Sequence, residues 1–179
     1  AGESEITRVE EDTGDRWVLD GDGKKWQYVI WVGNTEAAQQ HGLDVSDLLP
    51  EGYRTKSDRN YLYLKGNDIT KSGKQVLGTY YAAVALLENY LGVRWLWPGE
   101  LGTVIPQLGY VELPALFEQD EAVLEQRDIR SGTGINDRAE AGLKLLGGTE
   151  KEYAHYREFL RKRREWYVHQ RCGARVNLQ

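Results

Sequence analysis

The stretch Gly78-Thr-Tyr-Tyr-Ala82-Ala-Val-Ala-Leu-Leu87-Glu-Asn-Tyr-Leu-Gly92-Val-Arg-Trp95-Leu-Trp-Pro98-Gly-Glu100 holds a helix, a stop and a strand in that order. The helix is expected from about Gly73 to Leu91. Leu77, Tyr80, Tyr81, Val84, Leu87 and Leu91 recur at the three- and four-residue spacing of one buried stripe. Gly78, Ala82, Ala83 and Ala85 let such a helix lie close on a sheet. Gly92 stops it, because glycine readily takes the left-handed backbone that closes a helix C-terminus. Val93 to Trp97 then reads as a short strand turning at Pro98-Gly99.

Working upstream, Gln27 to Val32 is a β-branched and aromatic run bounded by Gly33-Asn34, expected to be a strand with both faces covered. Thr35 caps a short helix through Gln40, and Gly42 ends it. Leu43 to Pro50 is a connector. Tyr53–Lys56 and Asn60–Lys65 read as strands joined by Ser57-Asp58-Arg59. The second is central, with Leu62 and Leu64 on one face and Tyr61 and Tyr63 on a half-exposed other face. At the start of the chain, Glu3–Asp12 carries Ile6 and Val9 at helical spacing, Arg16–Leu19 reads as a strand, and Asp20-Gly21-Asp22-Gly23 as a hairpin turn. That acidic turn does not make a calcium loop, because Lys24 and Trp31 stand where such a loop needs oxygen ligands.

Downstream, Val104–Pro106 and Tyr110–Leu113 add short strands, with Pro106 and Pro114 marking edges. Residues 1–115 therefore read as an α+β sandwich, a mixed β-sheet with helices packed on it. Past Pro114 the pattern changes. Val123–Ile129 is expected as a strand, Ser131–Gly134 as a loop, Glu150–Cys172 as a long helix ended by Gly173, and Ala174–Leu178 as the start of another strand. Strand, loop, helix and strand start make the opening unit of a parallel β/α array. Residues 120–179 hold that unit incompletely.

Composition narrows the classes. Of 179 residues, 40 % are hydrophobic and 28 % charged, enough apolar mass for a real core and against a disordered chain. Glu88, Asn89, Gly92 and Arg94 interrupt the most apolar stretch, which excludes a membrane span there. A net charge of −5 argues against a nucleic-acid partner. One cysteine, Cys172, excludes an internal disulfide and reads as a buried thiol. Six Trp and eleven Tyr stand against two Phe, a skew toward aromatics that suit interfaces and sugar faces. No Met occurs and the chain opens on Ala1-Gly2, the start expected of a mature protein or an excised fragment.

No catalytic constellation is expected, and no metal or cofactor. His41, His155 and His169 lack ligand spacing and suit surface or capping roles. Gly132-Thr-Gly134 lacks the third glycine of a dinucleotide loop, and Lys74 has no phosphate-loop glycines. Arg161-Lys-Arg-Arg164, interspersed with Glu158 and Glu165, reads as a solvated helix face. Glu118, Asp120, Glu121, Glu125 and Asp128 read as surface charges and loop ends, since neighbours on one strand cannot form the facing carboxylate pair of sugar hydrolysis. Arg127 and Arg130 fall at the end of the first strand of the β/α unit, where barrel folds place substrate groups. Either they contact sugar hydroxyls or a uronate, or they form a structural ion pair with Asp128 or Asp137.

Several stretches together resemble a known family. Tyr28-Val-Ile-Trp-Val-Gly33-Asn-Thr-Glu36, Leu62-Tyr-Leu-Lys-Gly66-Asn-Asp68 and above all the Gly78–Glu100 block are similar to the N-terminal domain of α-glucuronidases and related bacterial proteins. That domain is itself similar to the second domain of β-hexosaminidases. Val104-Ile-Pro106 and Leu124-Glu-Gln-Arg127 continue in the family order. The resemblance implies a non-catalytic accessory domain packed on a (β/α)₈ sugar-cleaving barrel, with the catalytic acids on strands beyond these residues. It implies a uronate- or hexosamine-containing glycan and the rest of the barrel as partners and, by position, a sugar contact for Arg127; Trp95, Trp97 and Arg130 are further contact candidates on their residue types and places, while charge and hydropathy argue against nucleic acid and membrane as partners. By analogy with a polysaccharide-degrading parent it suggests export to the periplasm or beyond. A stand-alone carbohydrate-binding module and a protein-interaction domain docking through its aromatic helix face are the rival readings.

Overall fold

A computed structural model describes residues 29–108, 111–123, 127 and 147–172. The elements are β1 (Val29–Val32), α1 (Glu36–Gln40), β2 (Tyr53–Asp58), β3 (Tyr61–Gly66), α2 (Gly78–Asn89), β4 (Arg94–Trp95), a 3₁₀ turn (Glu100–Gly102), β5 (Thr103–Val104), β6 (Phe117–Asp120) and α3 (Glu150–His169). The sheet order is β1-β3-β2-β6, with β1 parallel to β3 and the other pairs antiparallel. β4 and β5 form a separate antiparallel ribbon. This is the mixed-sheet α+β class that the sequence implies.

β2 and β3 are joined more tightly than expected. They run to Asp58 and from Tyr61, pairing those two residues, so only Arg59 and Asn60 form the loop. Arg59 takes φ 52° to close it. β3 is central. Leu62 and Leu64 meet Tyr81, Ala82, Ala85 and Leu86 of α2, with Tyr53, Leu116 and Val168 of α3 completing the core. On the opposite face Tyr63 packs with Ala38 and Leu43 from α1 and its connector. Tyr63 is therefore 1 % exposed and not half-exposed, because α1 covers that face. Thr35 caps α1 through its side-chain oxygen, which accepts the Ala38 N–H at 3.1 Å, and Gly42 follows at φ 68°, both as expected.

α2 starts at Gly78 and not at about Gly73. Its cap comes from outside the helix. Asp68 accepts from the Thr79 N–H at 2.7 Å and from the Thr79 hydroxyl at 2.6 Å, satisfying first-turn donors that the helix itself leaves open. The core face is also rotated from the expected stripe. Tyr81, Ala82, Val84, Ala85 and Leu86 are buried, while Tyr80 is 38 % exposed and Leu87 and Leu91 lie at the margin. Small residues let the helix axis approach the sheet, and the bulky ones flank it.

Three strand expectations are corrected. β1 does not have both faces covered: Ile30 and Val32 are 52 % and 51 % exposed. They share the face of their register partners Leu62 and Leu64, but α2 lies over β3 and β2 and leaves that margin open. The described residues of Tyr110–Leu113 form no strand. Neither Val123 nor Arg127 lies in a strand, so the strand expected over Val123–Ile129 is absent at its described positions. The strand in this region is β6, held on β2 by Ser57, whose N–H donates to the Leu116 carbonyl and whose hydroxyl accepts the Leu116 N–H at 2.7 Å. The long helix is present as α3, opened by a capping box between Thr149 and Glu152. The expectations for Glu3–Asp12, Arg16–Gly23, Ser131–Gly134 and Ala174–Leu178 lie outside the described residues.

Candidate functional site

Trp95 is half-buried where the ribbon meets α3. Its ring stacks on His169, with centroids 4.3 Å apart and planes 10° from parallel. Its carbonyl accepts two hydrogen bonds from α3 and its cap, from Trp166 Nε1 at 2.8 Å and Gln170 Nε2 at 2.7 Å. Lys162 lies across the turn, since a β-carbon on Gly99 would meet its Cδ at 3.0 Å. His169 is held from the other side by Tyr80, whose hydroxyl is 2.9 Å from Nδ1. Burial pushes the His169 imidazole below its ordinary value, with Glu165 acting weakly in the other direction. His169 is thus not in the surface or capping role expected of it, whereas His41 is the C-cap of α1.

Trp97 and Leu96 stand beside this joint but face away, 61 % and 68 % exposed. Two aromatics two residues apart therefore have opposite environments: Trp95 is an anchor and Trp97 a free surface.

Arg127 lies elsewhere, against the N-terminal half of α2. It donates to Glu51 and sits 5.8 Å from the centroid of the Tyr81 ring. Its ion-pair partner is thus Glu51, from the connector before β2. Glu51, Tyr53, Tyr81, Arg127 and Arg171 line a cleft of about 30 Å³, room for a water molecule or two and not for a sugar ring. Burial raises Glu51 above the usual carboxylate range, against the opposing pull of Arg127. Burial likewise pushes the Tyr81 and Tyr53 phenols to about 12, so both remain protonated at neutral pH. Arg130 lies outside the described residues, as do Asp128 and Asp137.

The acidic cluster is more engaged than surface charge implies. Glu118 accepts from the Tyr90 hydroxyl, Asp120 from the Tyr53 hydroxyl at 3.3 Å, and Glu121 from the Leu49 N–H at 3.1 Å. The basic run on α3 is only partly the solvated face expected: Arg161 and Arg164 are exposed, Arg161 bonded to Glu158 and Glu165, while Lys162 and Arg163 are half-buried, Lys162 against the Gly99 turn. Cys172 is buried. Sequence reasoning missed Glu51, Arg171 and His169 as site residues. The Pro50-Glu51-Gly52 turn was the one local signal at Glu51, and a turn by itself signals exposure. No described helix is long and apolar enough to cross a membrane. A scan against protein-family models and searches of curated proteins and of solved structures return no match.

Proposed function

We propose that the chain is the non-catalytic N-terminal region of a glycoside-hydrolase-like, carbohydrate-active protein, and that it braces a (β/α)₈ barrel. In this reading residues 1–115 form an accessory domain like the second domain of β-hexosaminidases, and α3 is the first helix of the barrel. The observation that carries it is the Trp95 joint: ring stack, paired carbonyl bonds and the Lys162 contact fasten the ribbon to the helix that follows. The Gly78–Glu100 block, which bears the family resemblance, is then the segment that makes the joint. Arg127 fits the same reading, because its charge is met inside the fold by Glu51.

Thermal melts of Trp95→Ala alongside calorimetric titration with uronate and hexosamine oligosaccharides test it. Bracing predicts a destabilisation of about 1–3 kcal/mol, part of the cost of truncating a fully buried Trp, with no sugar binding to lose. Sugar binding abolished at unchanged stability would move the function to glycan recognition. That second reading, a carbohydrate-binding module, is favoured by Trp97, whose exposed indole can offer a flat face to a sugar ring.

A further inference from the structure

The end of α3 is held to the rest of the fold by side chains crowded into its last turns. Trp166 Nε1 and Gln170 Nε2 both donate to the Trp95 carbonyl, at 2.8 and 2.7 Å. Val168 is buried in the core beside α2. Arg171 reaches Glu88 of α2 at 3.2 Å and Asp120 of β6 at 3.8 Å. His169 stands among them, its ring stacked between Trp95 at 4.3 Å and Tyr80 at 5.8 Å. Cys172 rides on the same turn and is 9 % exposed. Its N–H donates to the Tyr167 carbonyl at 3.0 Å and its thiol to the Gln170 carbonyl at 3.8 Å.

A proton on His169 works against this arrangement. The neutral ring can give or take the 2.9 Å bond to the Tyr80 hydroxyl, whereas the charged ring can only give it. The charge also leaves water for a slot between two rings, which is costly unless a counter-charge faces it. Among the described residues that counter-charge is Glu165, one turn back on α3, and Arg161 already holds it. Tyr80 brings no charge, since burial raises its phenol. Trp95 offers only the attraction of its ring face for a cation. Burial outweighs both and holds His169 below its ordinary value.

We infer that the Trp95–His169–Tyr80 stack is an acid-released clasp: protonation of His169 frees the last turns of α3 from the ribbon and α2 while the sheet and α2 stay folded. Released, the clasp bares the Trp95 ring and the Cys172 thiol and leaves the ribbon unbraced. The device rests on the joint alone and is independent of the accessory-domain reading.

Cys172, the chain's one cysteine, reports the opening. The chain is labelled with dithiodipyridine, which reacts with thiols in acid, from about pH 7.5 down to about pH 5, above the ordinary carboxylate range. Each rate is divided by that of a small thiol at the same pH, and far-UV circular dichroism follows the fold. The normalised rate is expected to rise below pH 6.5, by up to about tenfold per pH unit for one proton, with the bulk of the dichroism unchanged. His169→Phe keeps a ring against Trp95 and cannot take the proton, so its rate stays flat. That variant retains His41, His155 and also Glu51, whose carboxyl burial raises, so the slope it loses belongs to His169. NMR titration of the His169 ring in wild type, which needs no variant, should give a midpoint below 6.5. The inference is overturned if wild type and His169→Phe show the same pH dependence, or if Cys172 reacts only where the dichroism is also lost. It is equally overturned if Cys172 reacts at the small-thiol rate already at neutral pH, or if the ring titrates at or above 6.5.

Discussion

A β-carbon built on Gly66 would sit 2.0 Å from the carbonyl carbon of Gly78 and 2.1 Å from the Thr79 nitrogen. No side chain fits there, because the end of β3 runs directly against the first turn of α2. The Gly66 N–H donates to the Thr79 hydroxyl at 3.0 Å, and Asp68 takes the Thr79 donors from the other side. Gly66 and Asp68 thus seat the helix, one by absence of bulk and one by charge. Gly66→Ala is expected to destabilise the fold by at least about 2 kcal/mol, the range for forcing atoms into a packed contact, read from urea midpoints. A loss below about 0.5 kcal/mol would mean that the end of β3 does not pack directly on the first turn of α2. The Gly66-Asn67-Asp68 turn could be read from the sequence as a turn. That its aspartate caps a helix beginning ten residues later could not, because the bond spans a loop whose path no local pattern fixes.

At the scale of elements, the ribbon and α3 depend on each other through one ring and one carbonyl. Trp97→Ala, which removes an exposed indole, is expected to leave the melting temperature nearly unchanged, within about 0.5 kcal/mol, and so marks the background for Trp95→Ala. His169 makes the joint sensitive to acid. Its folded-state value lies below the ordinary 6.5, so the unfolded chain takes up the proton first as pH falls. The stability contributed at the joint is present above pH 6.5 and is lost as pH drops toward the folded value. Urea midpoints at successive pH values below 6.5 should therefore fall faster for wild type than for His169→Phe, which keeps a ring against Trp95. Equal acid sensitivity would remove His169 from the joint's energetics. α1 was legible because its Thr35 cap is local, and α2 and α3 were legible as helices from their apolar spacing, though the start of α2 was not, because Asp68 caps it from outside. β6 was not: Phe117-Glu-Gln-Asp120 carries no alternating apolar signal, with Phe117 itself 75 % exposed, and becomes a strand only because β2 offers it an open edge.

At the scale of the molecule, the sheet is covered unevenly. α2 and α1 close the centre, while Ile30 and Val32 at one margin and Leu96, Trp97, Leu101 and Ile105 on the ribbon remain open. The proposed function expects further protein beyond this chain, so the native polypeptide in its source cells should have a mass several times 20.4 kDa by intact mass spectrometry. A species of 20.4 kDa would leave bracing without an object and make the binding-module reading the stronger one. The overall class was legible because core strands and helices carry apolar patterns. The cleft at Glu51 was not, because it joins residues from the connector, α2, the segment at 127 and the end of α3, and no sequence window spans them.

The strand order β1-β3-β2-β6 also sets a schedule for synthesis. The β2–β3 hairpin closes through two residues, on a timescale of about 1–10 μs, as soon as both strands leave the ribosome. Its other neighbour, β6, is made only after all of α2 and the ribbon, at about 5–20 residues per second. Throughout that interval the outer edge of β2 is a bare row of donors and acceptors, the template from which nascent chains misassociate. Arg54 and Lys56 sit on that strand and lend it positive charge during the wait. Lys56 discourages a second copy from docking there, while Arg54 can already pair with Asp47, made before it, and gains Gln119 when β6 arrives.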